Sequence, residues 1–200
     1  MSFIINANAG QPANIDATYL NGSTVSPTGL YANSVPDIVG PFPVKPFSDL
    51  QWKGDSGSYF GSRFAQVADP QCATLAVDLQ PYCTLKAVTE AKTGQILLQN
   101  PQPGRRGTLG QKTMELPGAW AFDAAMSKLI RIAESKSLQF RLDATNVLNH
   151  PNIGPQSSCG STNVLCAPNL NINSTSQPFG NIQSKGLDHR QFKAQLRLNF

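Results

Sequence analysis

The chain has 200 residues, 40% of them hydrophobic and 14% charged, with 16 Gly, 15 Pro, a net charge of +4 and a pI near 9.0. So few charges argue against a disordered, charge-rich chain, and the basic residues are too scattered, with no basic run, for a nucleic-acid partner. Neither an apolar stretch of about 18 residues nor a basic start with an apolar core is present, so a membrane helix is excluded and a cytosolic protein or a piece of a longer one is expected.

The first predicted element covers 2–19. Phe3, Ile5, Ala7, Ala9, Ala13, Ile15, Ala17 and Tyr19 share one parity, interrupted by Gln11. A period of two places alternate side chains on one face, which is a strand, weakened at Pro12 because proline brings no backbone donor. Over 20–117 the periodicity disappears, and 10 of the 15 prolines fall between Pro27 and Pro117. This predicts a very long loop region, and its aromatics (Tyr31, Phe42, Phe47, Trp52, Tyr59, Phe60, Phe64) argue that it packs as a surface structure. Within it, "CTLKAVTEAKTG" predicts a short helix ended by Gly94.

Alternation resumes over 118–132, where Trp120, Phe122, Ala124, Met126, Ile130 and Ile132 share a face with one intruder, Lys128. The polar turn "AESKS" leads to a strand over 137–148, with Leu138, Phe140, Leu142, Ala144 and Leu148 on one side. Together they predict a hairpin. A second long loop, 149–188, precedes a final strand over 189–200, in which Phe192, Ala194, Leu196, Leu198 and Phe200 alternate with polar residues. Four amphipathic strands, a short turn at one end and very long loops at the other, are the layout of an outer-membrane barrel. The predicted class is all-β, an antiparallel transmembrane barrel segment with lipid on the apolar parity and the lumen on the polar one.

Two runs resemble a known family. "ELPGAWAFDAAMSKLIRIAESKSLQFRLDATNVLNHPNIG" and "FGNIQSKGLDHRQFKAQLRLNF" are similar to the C-terminal end of TonB-dependent receptors of the Oar-like kind, as are "LQNPQPGRRGTLGQ" and "VPDIVGPFPVK" in the preceding loop. The resemblance implies about four strands of a roughly 22-stranded barrel in the cell outer membrane of a Gram-negative type bacterium. It also implies partners: outer-membrane lipid, the remainder of the barrel and a plug domain that residues 1–200 do not contain, an inner-membrane energising complex, and the barrel-assembly machinery. The expected function is energised uptake of an unidentified solute, with no enzyme activity and no cofactor. The alternative is a secreted or surface-attached β-domain for adhesion or carbohydrate binding.

Site residues are assigned on the same footing. Phe192, Ala194, Leu196, Leu198 and Phe200 resemble the C-terminal assembly signal of such barrels. Trp120 and Phe122, beside the long loop, suit an aromatic girdle. Asp123, Arg141, Asp143, Lys193 and Arg197 occupy the polar parity and are expected to face the lumen, forming ladder pairs across the strands. Cys72 and Cys83, with ten residues between them, and Cys159 and Cys166, with six, are disulfide candidates that would staple separate loops; four free thiols is the other possibility. Lys128 on the apolar parity would cost about 2–4 kcal/mol at mid-bilayer, so it is expected near the turn or flipped by a bulge. His150 reads as a turn residue and not a metal ligand, Arg105 and Arg106 as solvated loop cations, and "GRRGTLGQK" lacks the spacing of a phosphate loop. No catalytic residues and no metal ligands are assigned.

Overall fold

The computed structural model describes residues 1–17, 34–43, 49–102, 105–116, 118–150, 152–153, 167–184 and 190–200. The strands, in chain order, are β1 (Ser2–Asn8), β2 (Pro12–Ala13), β3 (Asp37–Ile38), β4 (Gln51–Lys53), β5 (Ser56–Ser58), β6 (Phe64–Ala68), β7 (Lys86–Glu90), β8 (Ile96–Gln99), β9 (Met114–Glu115), β10 (Ala119–Ala133), β11 (Lys136–Thr145), β12 (Asn181–Ile182) and β13 (Gln191–Asn199). Two short 3₁₀ turns, Pro70–Thr74 and Val77–Tyr82, are the helical elements among the described residues.

Four of these strands form the wall. β1, β10, β11 and β13 make one antiparallel sheet in that order. Its register keeps every strand in phase: Phe3 lies opposite Ala124, which faces Ala144, which faces Phe192. Further toward the turn come the rows Met126–Leu142–Ala194 and Ile130–Leu138–Leu198. A one-residue slip in any strand would have turned its apolar residues to the polar side. The two long connections both leave from the opposite end to the β10–β11 turn.

The connections fold into a compact cap that the chain's alternation did not announce. It contains a four-stranded sheet (β3-β8-β7-β6), a three-stranded one (β12-β5-β4) and the β2–β9 pair. The predicted helix at Cys83–Gly94 is absent: Lys86–Glu90 is strand β7, and Gly94 occupies a tight turn into β8 at φ +71°. Val88 and Leu98, opposite each other, are fully buried, and that sheet burial outweighs the helix propensity of the segment. The first predicted strand also divides. Pairing stops at Asn8 and resumes at Pro12–Ala13 against β9; Ala17 then bridges Ser34, and 18–33 lie outside the described residues. The strand predicted to reach Leu148 ends at Thr145, because Asn146 adopts φ 45°.

The cap core draws on both connections. Ile15, Tyr59, Phe60, Val88, Leu98 and Met114 pack in one cluster with Leu170, Ile172, Phe179 and Ile182. Phe60 stacks on Phe179 at 5.0 Å and meets Tyr59 edge-on at 4.9 Å, while the Tyr59 hydroxyl donates to the Glu115 carbonyl at 3.0 Å. Gly180 (φ +80°) passes so close to Phe60 that a Cβ would lie 2.4 Å from the ring. Of the aromatics expected to pack, Tyr31 and Phe47 lie outside the described residues.

A buried carboxylate ties the edge of this core. Asp69, 1% exposed, accepts from the backbone N–H of Gln71 and Asn100 and from the side-chain amides of Gln99 and Asn100, at 2.8–3.1 Å. The Asn173 amide extends the network, donating to Asn100 Oδ1 at 2.7 Å and accepting from the Lys86 N–H at 2.8 Å. Beside it, a disulfide joins Cys72 to Cys83 with Cα atoms 5.6 Å apart. Cys159 and Cys166 lie outside the described residues.

Candidate functional site

The apolar face of the wall is open. Phe3, Ile5, Ile132, Phe192, Leu196 and Leu198 are all more than half exposed, in a sheet whose neighbouring strands stay in register apart from the shift between Arg131 and Ala133. An exposed face of that composition spanning four strands needs a hydrocarbon contact. Phe192, Ala194, Leu196 and Leu198 stand on this face, with Phe200 following β13 at 89% exposure. Trp120 and Phe122 stand at its loop end, Trp120 against the His150 ring at 4.2 Å with the planes tilted by 32°, and Phe122 stacked on Phe3 at 5.8 Å.

The other face carries the polar parity. Arg141 and Asp143, two residues apart on β11, form an ion pair at 2.9 Å; Asp143 lies opposite Lys193 and Gln139 opposite Arg197. Asp123 does something the alternation could not reveal: its carboxylate accepts the Asn146 N–H at 2.8 Å, closing the end of β11. Ile4 and Leu129 also fall on this parity, so the face is mixed. Lys128 is not relieved in the way expected of a flipped residue. It lies opposite Phe140 on the apolar face, in the turn-side half of β10, and the register shift comes later, between Arg131 and Ala133.

The "NVLNHPN" run explains itself chemically, since its asparagines replace backbone partners where the strands stop. The Asn146 side chain accepts from the His150 N–H and donates to the His150 carbonyl, both at 2.9 Å. Asn152 does the same for Trp120, accepting from its N–H and donating to its carbonyl at 3.0 Å. Asn149 Oδ1 accepts from the Arg190 N–H at 3.3 Å, at the entrance to β13. An amide side chain carries one donor and one acceptor group, as a peptide unit does, so each can finish a ladder at its edge. His150 is therefore a junction residue. Among the described residues no group of three His, Cys, Asp or Glu is placed to hold a metal ion.

A cleft opens on the cap. Its volume is 440 Å³, and Gln51, Phe60, Gly61 and Ser62 are among its lining residues. Two carboxylates, Asp49 and Glu90, and two cations, Arg63 and Lys92, surround it. The β5–β6 connection and the β7–β8 turn are held together there by the Ala91 N–H donating to the Arg63 carbonyl at 2.8 Å. Glu90 Oε2 accepts from the Thr93 hydroxyl at 2.8 Å, which fixes one wall. Gly61 is required by its φ of +58° and by the space: a Cβ would meet Gln51 Nε2 at 3.0 Å and the Asp49 carbonyl at 3.1 Å. The size is that of a small-solute site, but the lining is mostly polar where such sites are mostly apolar, so the cleft suits a polar solute. Sequence reading did not find these residues, because the expected helix over 83–94 placed Glu90 and Lys92 on no common surface with Arg63. The neighbouring pair of turn glycines, Gly61 and Gly94, was the available signal.

An amphipathic antiparallel wall, a short turn at one end and elaborate connections gathered at the other define an outer-membrane β-barrel protein. The model of the family described as outer membrane beta barrel domain matches residues 1–193, and the chain belongs to that family. Comparison with curated proteins and with solved structures gave no match. The protein is accordingly one of the cell outer membrane, with lipid against the apolar face of its wall. The four strands do not close a barrel: β1 and β13 are the edges of the sheet.

Proposed function

We propose that the chain is the C-terminal part of a TonB-dependent receptor of the Oar-like kind, serving energised uptake of a solute, and that its own contribution is non-catalytic. In this reading β1, β10, β11 and β13 supply barrel wall, the cap captures solute at the Phe60 cleft, and the alternating residues of β13 with Phe200 are read by the barrel-assembly machinery. The plug and the inner-membrane energising complex act through the remainder of the receptor. The observation that carries the reading is that both long connections fold into one cap over one end of the wall, where a solute would arrive. The resemblance of 115–154 and 179–200 to that receptor family supports it, and the wall's open edges β1 and β13 suit a segment of a larger barrel.

The test is uptake by cells making the complete receptor that contains this segment, offered oligosaccharide, short-peptide and chelated-metal solutes. Uptake of one class that stops on loss of the energising complex, and falls with Lys92→Ala or Asp49→Ala while the protein still reaches the outer membrane, is expected. A chain that is folded, monomeric and soluble without detergent would instead favour the adhesion module.

A further inference from the structure

Lys128 is the one element of the wall that the receptor reading leaves without a purpose, and its register supplies one. Along β10 from Trp120, at a rise of about 3.3 Å per residue and a tilt of about 40°, Lys128 lies roughly 20 Å below the aromatic girdle. The apolar band of such a wall is about 25 Å tall. The Lys128 backbone is thus within hydrocarbon, roughly 5 Å short of the far boundary, and a lysine arm of about 6 Å reaches that boundary. The row Ile130–Leu138–Leu198 then lies at the boundary itself.

Lys136 stands just past it. It shares the parity of Leu138 and Phe140, so it too belongs to the lipid-facing side, and it opens β11 directly after the turn. By strand geometry the two lysine Cα atoms are about 14 Å apart, with Ile130 and Leu138 between them. Both lysines are exposed, and among the described residues neither is ion-paired; Glu134, in the turn, is the nearby carboxylate. Arg131 and Arg197 belong to the opposite parity and cannot contribute.

We propose that Lys128 and Lys136 form a phosphate clamp for a phospholipid of the leaflet on the short-turn side, with Met126, Phe140 and Leu142, toward the bilayer centre, as the bed for its acyl chains. The proposal rests on the outer-membrane wall described above. An anionic phospholipid, whose headgroup adds no cation of its own, fits two lysines better than a zwitterionic one. Each lysine near a lipid surface is expected to strengthen anionic-lipid binding about fivefold.

The full chain in detergent is loaded with mixed phosphatidylglycerol and phosphatidylcholine, and the lipid retained is measured by native mass spectrometry. The unmodified chain should hold phosphatidylglycerol in preference. Lys128→Leu and Lys136→Leu should each reduce that retention about fivefold, Lys128→Arg should keep it, and Lys193→Leu, on the polar face, should change nothing. Equal retention by the leucine variants, or equal loss in Lys193→Leu, overturns the clamp. Should a leucine variant misfold by circular dichroism, the unmodified chain decides. In vesicles, added phosphatidylglycerol should shield Lys128 and Lys136, but not Lys193, from a water-soluble amine reagent, and unchanged labelling of the pair overturns the proposal. A chain that enters no vesicle at all would count against the wall itself, a failure distinct from that of the clamp.

Discussion

Asp16 shows how a single side chain makes the cap respond to pH. Burial pushes its carboxyl pKa above the ordinary 3.8, because the surroundings strip water from the charged form. Below the ordinary value both folded and unfolded chains hold the proton, and above the raised value both have lost it. Between them the folded chain binds the proton more tightly, so stability falls as pH rises through this window and stays lower beyond it. Asp16→Asn keeps the backbone bonds to Leu170 and from Ile172, both 3.0 Å, and removes the half-buried charge. The variant should be more stable than the parent at neutral pH and lose the slope just above the usual carboxylate range, read from urea midpoints across pH. Four N–H groups converge on the buried Asp69 carboxylate. Truncating it in Asp69→Ala leaves buried donors unsatisfied at about 1–3 kcal/mol each, so a loss of at least about 3 kcal/mol is expected. Trp52 fluorescence during unfolding, in a Trp120→Phe background, would report it.

At the scale of the element, the wall strands are specified by alternation and the junctions by side-chain amides. β13 offers a paired comparison, because Leu196 lies opposite Phe140 on the lipid face and Gln195 opposite Arg141 on the polar one. Leu196 stands in the same row as Lys128, near the short-turn boundary, so Leu196→Arg should cost about 1–2 kcal/mol, less than the roughly 2–4 kcal/mol of a mid-bilayer site, whereas Gln195→Arg should cost next to nothing. Folding titrations in vesicles would separate them, and equal costs would contradict the assigned faces. The strands were legible because a half-wet sheet repeats every second residue, and β10, β11 and β13 obey this with Lys128 as their chief exception. Their ends were not legible. Where β11 stops depends on Asp123 and Asn146 meeting across 23 residues, and no local pattern encodes that meeting.

For the whole molecule, the cap is a joint product of two connections distant in sequence. Ile172, fully buried, sits in the second connection, and its neighbourhood joins the first through the Asp16–Asn171 bridge and through Gln66, whose amide donates to the Ile172 carbonyl at 2.7 Å. Ile172→Ala should therefore cost about 2–5 kcal/mol and make the first connection as well as the second more sensitive to limited proteolysis. Independent loops would confine the damage to 167–184. The same interdependence governs the candidate cleft, since Phe60, one of its lining residues, stacks on Phe179 from the other connection. By itself, the sequence determined the all-β class, the alternation of apolar and polar faces along β10, β11 and β13, and, through its family, the outer membrane as the destination. A two-residue period makes those properties local: each side chain's face follows from its neighbours, and hydrocarbon on one side rewards strict alternation. Only the tertiary structure decided that the long connections are short strands in a shared core, that Lys86–Glu90 is strand and not helix, and that Asp49, Arg63, Glu90 and Lys92 surround one cleft. Strands of two to five residues are too short to display a period, and their stability comes from partners as far away as Ser58 is from Asn181, which proximity along the chain does not encode.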